Sequence, residues 1–198
     1  MALIVLPLLL LIAQSVHGGD DTYELKEHVE FFDQNHDGIL YISETVEGFK
    51  QLGIGAAESL ASATAIHTAL SAKTRPGQPF DKDFPIIIEN IKLAKHTSDS
   101  GVYDDEGRFV PEKFEAIFTN HAHIKPDALN SDEVDELLKS NRKAGDFKNW
   151  LAAEGEWKLL YKLGKDADGF LSKENIRNVY DGSFFYQLAK PHNTTAAA

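Results

Sequence analysis

The 198-residue chain has no cysteine, and Met1 is its only methionine. That excludes disulfide cross-links, thiolate nucleophiles and thiolate metal ligands. A chain of this length can bury enough core to manage without disulfides. Basic residues are also scarce: 20 Lys and Arg against 31 Asp and Glu leave a net charge of −11, with no basic patch to offset it. Nucleic acid is therefore excluded as a partner. There is no HExxH zinc pair, no GxSxG elbow and no glycine-rich phosphate loop. Acidic residues are abundant, but no spacing singles out a glycosidase pair.

Long apolar runs are missing too, apart from Ala2 to Ala13 at the N-terminus. MALIVLPLLLLIAQSVHG, residues 1–18, reads as a secretory signal peptide cleaved after Gly18, although no Lys or Arg precedes the apolar run. The alternative is an uncleaved N-terminal anchor, but the run is short for a bilayer span. Asn193-Thr194-Thr195 is a glycosylation acceptor if the chain enters the secretory pathway. Residues 19–198 suit a single domain, with lobes 19–75 and 86–190 joined by a proline-rich turn, 76–85, that holds Pro76, Pro79 and Pro85.

FFDQNHDGILYISET, residues 31–45, is the most informative stretch. Asp33, Asn35, Asp37, Gly38, Ile39 and Glu44 occupy positions 1, 3, 5, 6, 7 and 12 of a helix–loop–helix calcium loop. Three short side chains and the Ile39 carbonyl offer oxygens to one point. Gly38 permits the sharp turn, and Glu44 closes the shell with both carboxylate oxygens. Tyr41, at position 9, coordinates through water. The ligands expected for Ca2+ are Asp33, Asn35, Asp37, Ile39, Tyr41 and Glu44.

Helices are expected over 22–32, 43–52 and 53–72, from Pro111, from Asn130 or Ser131, over 147–163 and from Ser172. Aligned on Gly169, GKDADGFLSKEN (164–175) puts Asp166, Asp168 and Ser172 at positions 3, 5 and 9 of a second loop. Gly164 and Asn175 stand at positions 1 and 12, so the first acidic ligand and the bidentate glutamate are missing. The fold expected is mainly α: an EF-hand-type protein with one intact and one degenerate calcium loop and short paired strands at the loops. The two loops are expected to pair with each other and so bring the termini together.

HVEFFDQNHDGILYISETVEGFKQLG, NIKLAKHTSDSGVYDDEGRFVPEKFEAIF and GEWKLLYKLGKDADGFLSKENIRNVYDGSFFYQLAK closely resemble the caleosins, plant and fungal peroxygenases of lipid droplets and membranes. The resemblance runs from about His28 to Lys190. It implies a calcium-dependent enzyme containing haem b, which moves an oxygen atom from a fatty-acid hydroperoxide to an unsaturated fatty acid by epoxidation or hydroxylation. The family's two haem-associated, catalytic histidines fall on His28 and His96, and its calcium loop on Asp33 to Glu44. Its proline knot corresponds loosely to Pro76–Pro85. The apolar segment that precedes the knot in the family is diluted here by Glu58 and several Ser and Thr. The location expected is therefore the endoplasmic reticulum or secretory pathway, or peripheral contact with a membrane, with the lipid droplet less favoured.

The residues are compatible with that chemistry. In the absence of Cys, imidazole is the best remaining iron ligand, with Tyr possible. His28 follows Leu25 by three residues and precedes Phe32 by four, which turns it to the apolar side of its helix, five residues before Asp33. A core histidine bonded to a carbonyl fits the same pattern. His96 could be a second axial ligand or a distal acid–base group, and which histidine is proximal stays open. His67 is a third candidate, while His121 and His123 read as solvated or locally satisfied. Phe147, Trp150, Trp157 and Tyr161 could line an acyl cavity, although their helical spacing is also that of plain core. The rival function is a non-enzymatic calcium-binding protein of membranes or lipid droplets.

Overall fold

The structure, a computed structural model, describes residues 23–95 and 98–189. The apolar leader, His96 and Asn193 lie outside the described residues. Among the described residues, eight α-helices and four two-residue strands occur, and all but the last helix form four helix–strand–helix units, packed in pairs.

The first pair comprises α1 (Glu24–Glu30), β1 (Ile39–Leu40) and α2 (Ile42–Gln51), followed by α3 (Ala56–Thr74), β2 (Ile86–Ile87) and a 3-10 helix, Ile88–Ala94. The second comprises α4 (Pro111–His121), β3 (Ala128–Leu129) and α5 (Ser131–Asn141), then α6 (Phe147–Gly164), β4 (Leu171–Ser172) and α7 (Lys173–Tyr180). A last helix, α8 (Ser183–Ala189), closes the described chain. Local chemistry sets several boundaries. Asn130 accepts the Glu133 N–H at 2.9 Å while the Glu133 carboxylate takes the Asn130 N–H at 2.8 Å, a capping box that starts α5. Ser172 caps α7 through the Asn175 N–H, and Pro111, which has no N–H to lose, opens α4.

The strand pairing differs from that expected. The two calcium-type loops do not meet: β1 pairs antiparallel with β2 (Ile39 with Ile87, Leu40 with Ile86), and β3 pairs with β4 (Ala128 with Ser172, Leu129 with Leu171). Each strand takes an apolar doublet from its own half of the chain, a shorter loop to close than one joining the two ends. Those partners, Ile86-Ile87 and Ala128-Leu129, follow segments with no calcium-ligand spacing, so two of the four units carry no signature in the sequence. The pairing of β1 with β2 also draws residues on both sides of the proline-rich stretch into one helical group.

Two apolar cores result. Leu25, Phe31, Phe32, Phe49 and Ile86 belong to the first, and Phe114, Leu129, Leu137, Leu171 and Ile176 to the second. Phe184 and Phe185 of α8 are buried in the first core, Phe185 against His28 of α1 and against Phe31 and Phe32 just beyond it. That contact, rather than strand pairing, brings the two ends of the described chain together.

The polar residues of α3 also find their reason here. Ser59, His67, Ser71 and Thr74 are all buried. The Ser71 hydroxyl donates to the Pro85 carbonyl at 2.6 Å, the Thr74 hydroxyl accepts the Ile87 N–H at 3.1 Å, and the Asn90 amide donates to the Thr74 carbonyl at 2.9 Å. Ser71 and Thr74, with His67 on the Phe84 carbonyl, thus partner backbone groups of 84–87, and the Asn90 side chain ties that segment back to α3. Glu58 is paired with Lys162 of α6 at 2.9 Å. No helix among the described residues is long and apolar enough to cross a membrane.

Candidate active site

A cavity of about 300 Å³ opens where α1, α2, α6, α7 and α8 face one another. Its walls are largely apolar, with Phe32, Phe49, Trp157, Leu160 and Phe185 among them, and its polar groups include His28, Lys95, Asp99, Ser100, Tyr103 and Tyr180. A mainly apolar enclosure with a few convergent polar groups is the form of a small-molecule site.

His28, on the last turn of α1, enters this cavity. Its Nδ1 lies 2.7 Å from the Val179 carbonyl oxygen. A carbonyl only accepts, so Nδ1 carries the proton and Nε2 is the nitrogen with the free lone pair. Burial lowers the pKa of the ring from its ordinary value, against the opposing pull of the Val179 carbonyl, which keeps the imidazole neutral. Phe185 and Tyr103 stand edge-on to it, with centroids 5.2 and 6.5 Å away. A neutral imidazole with one N–H held by a carbonyl is the usual state of a histidine that ligates a metal.

Two tyrosines complete the polar side. The Tyr103 hydroxyl donates to the Tyr180 carbonyl at 2.6 Å, and the Tyr180 hydroxyl shares a 2.7 Å hydrogen bond with Ser100. Burial pushes both phenols upward, so they remain protonated hydrogen-bonding groups. Neither tyrosine is marked by a motif in the sequence. Each sits beside an aspartate in a polar stretch, and nothing in the spacing connects them.

The other expected residues separate clearly. His67 is completely buried, with Nδ1–H donating to the Phe84 carbonyl at 2.8 Å and Nε2 accepting from the Thr45 hydroxyl at 2.8 Å. Both ring nitrogens are used, so His67 braces α2, α3 and the 84–85 turn. The Nδ1 of His121 pairs with Glu136 at 3.0 Å and its Nε2 meets Ser140 at 3.2 Å; His123 pairs with the same carboxylate. Of the aromatic residues on α6, Trp157 lines the cavity, while Phe147 is exposed, Trp150 stacks under Arg142 and Tyr161 donates to the Gly169 carbonyl.

The 33–44 loop is shaped by its own side chains. Asp33 is buried, and its carboxylate accepts the N–H groups of Asp37 at 3.3 Å and Gly38 at 2.9 Å. Asn35 accepts from the Asp37 N–H and Asp37 from the Ile39 N–H, while Gly38 takes a φ of +79° that favours glycine. Glu44 Oε2 accepts the Tyr41 N–H at 2.9 Å and so caps α2. Among the described residues no three His, Asp or Glu side chains are grouped as a metal shell. The donor set is nonetheless the hard, oxygen-only kind that calcium takes.

The 164–175 loop is also closed by hydrogen bonds of its own. The Asn175 side-chain amide donates to the Gly164 carbonyl at 2.8 Å, joining positions 12 and 1 directly, and Asp166 turns inward to accept the N–H groups of Asp168 and Phe170. A Cβ at Gly164 would fall 2.8 Å from Leu171 and 3.0 Å from Phe184, so packing denies position 1 an acidic side chain.

Comparison with known proteins places the chain in a family. The family described as caleosin related protein matches residues 20–189. A probable peroxygenase 4 of Arabidopsis thaliana is 52% identical over 170 residues, covering 86% of this chain and 87% of its own length. A peroxygenase of Lilium longiflorum is 45% identical, covering 84% of this chain and 70% of its own, and a probable inactive peroxygenase-like protein of Arabidopsis thaliana is 41% identical over 80% and 76%. No solved structure matches. With all of the described residues inside the matched region, the chain belongs to the caleosin-related family.

Proposed function

We propose that this chain is a calcium-dependent haem peroxygenase that passes oxygen from a fatty-acid hydroperoxide to an unsaturated fatty acid. The observation that carries the reading is His28: a neutral imidazole in an apolar cavity, with its Nδ1–H held by the Val179 carbonyl and Nε2 left as the ligating nitrogen. The names of the Arabidopsis and lily relatives support the reaction class. His28 would hold the iron of haem b, with His96 the second candidate. Bound there, haem supplies the oxygen-atom transfer itself. The chain's own part is to surround the site with apolar walls that exclude water, and to present the Tyr180 and Ser100 hydroxyls as neutral hydrogen-bonding groups to polar oxygens.

Calcium would bind through the side chains of Asp33, Asn35, Asp37 and Glu44 and the Ile39 carbonyl, with Tyr41 acting through water. For Glu44 this means exchanging its cap on α2 for the cation. The loop starts just beyond α1, so calcium steadies the helix that carries His28. We place the protein in the secretory pathway or at a membrane surface, as a single domain.

The name of the inactive relative keeps one other reading in view, a calcium-binding protein without turnover. An ultraviolet–visible spectrum of the protein expressed with haem, taken with calcium and after chelation, separates the two. A stoichiometric Soret band that weakens on chelation is expected. Folded, calcium-binding protein with no band under either condition would end the enzymatic reading.

A further inference from the structure

We infer that the turn ending α7, residues 179–182, is the seat that orients the His28 imidazole, with Gly182 and Tyr103 as its positioning residues. The inference rests on His28 as a haem ligand and extends it to the opposite end of the chain. Within four consecutive residues the turn meets α1 and its surroundings three times. The Val179 carbonyl accepts His28 Nδ1–H at 2.7 Å and the Gly182 N–H at 3.1 Å. The Tyr180 carbonyl accepts the Tyr103 hydroxyl at 2.6 Å, and the Tyr103 ring stands edge-on to His28. Gly182 has a φ of +78°, and a Cβ there would lie 2.5 Å from the Glu27 carbonyl oxygen and 3.2 Å from His28 Cα.

Each contact has a physical consequence. Val179 and Tyr180 are in the last turn of α7, where carbonyls lack intrahelical partners and carry the negative end of the helix dipole. An N–H donated to such a carbonyl fixes the tautomer and makes the opposite nitrogen a stronger donor to a metal. Gly182 sets how near that carbonyl comes, because only a residue without a side chain lets the turn touch the α1 backbone. The seat is held in turn by the 164–175 loop, through the Ser172 cap on α7 and the Asn175–Gly164 hydrogen bond. The degenerate loop therefore serves the site mechanically: one unit carries the imidazole and the other aims it.

The test uses the full chain with Gly182→Ala and Tyr103→Phe. Nitrogen-15 NMR of the His28 ring, read before haem is added, is expected to show one Nδ1–H tautomer in the parent and a mixture in Gly182→Ala. Haem titration of Gly182→Ala should show affinity about tenfold weaker or worse, the usual effect of losing a partner behind a metal ligand. In a His28→Ala background, Gly182→Ala should cause no further loss. An unchanged tautomer, or losses that simply add, would overturn the proposal and leave Gly182 a packing residue. If Gly182→Ala does not fold, Tyr103→Phe, which deletes one oxygen atom, carries the same tautomer test, and an unchanged tautomer there overturns the proposal. A tautomer shift in Gly182→Ala, with a parent protein that takes up no haem, would leave the seat standing while the haem reading falls.

Discussion

His28 and His67 show how little a histidine's neighbours in sequence reveal about its use. Both occur in helices, and burial lowers the pKa of both from the ordinary 6.5. His67 has both ring nitrogens engaged by Thr45 and Phe84, whereas His28 spends one on Val179 and faces a cavity. Thr45→Val keeps the shape of the Thr45 site but removes the hydroxyl that donates to His67. We expect stability to fall by about 1–3 kcal/mol, the cost of a buried polar atom without its partner. Urea unfolding of protein expressed without added haem measures this, and under the proposed function haem affinity should stay within about twofold of the parent. A large loss of haem with unchanged stability would contradict the structural role given to His67.

The helix–strand–helix units divide the work among themselves. The 33–44 loop has acidic oxygen donors at its first and last positions, whereas in the 164–175 loop those positions are Gly164 and Asn175, joined by an amide-to-carbonyl latch and packed against Phe184. Gly164→Asp restores the first acidic letter of that loop yet is expected to destabilise the protein. Its Cβ has no space between the buried Leu171 and Phe184, and overpacking of this kind costs about 1–3 kcal/mol. Urea unfolding in chelator gives the value. Unchanged stability would mean that both side chains can move aside and that packing does not explain the lost ligand.

Considered as one molecule, the chain is tied together at its two ends. α8 buries its phenylalanines beside α1, and the end of α7 holds the ring of His28. This makes stability depend on pH in a direction that can be worked out. His28 and His67 have lowered pKa values in the folded state, so the unfolded chain binds more protons once the pH falls below about 6.5. Stability should therefore be complete above that pH and decline as the pH drops through the folded values. Urea midpoints of protein expressed without added haem between pH 7.5 and about 5 test this, and His28→Gln with His67→Gln should flatten the slope. A midpoint that rises on acidification would reverse the assignment of both rings.

The sequence by itself determined what consecutive residues can encode. The calcium-loop spacing, the Asn130 and Ser172 caps, Pro111 at a helix start, and family membership were all legible, because each depends on neighbours a few positions apart. Pairing was left to the tertiary structure. That β1 takes Ile86-Ile87 rather than the other calcium-type loop depends on which apolar doublet closes most readily, and no local pattern states it. The polar residues of α3 resembled a diluted membrane segment until the backbone of 84–87 was found bonded to them. His28 and Val179 are 151 residues apart, so the contact that fixes the tautomer of the ring exists only once two distant helices have packed.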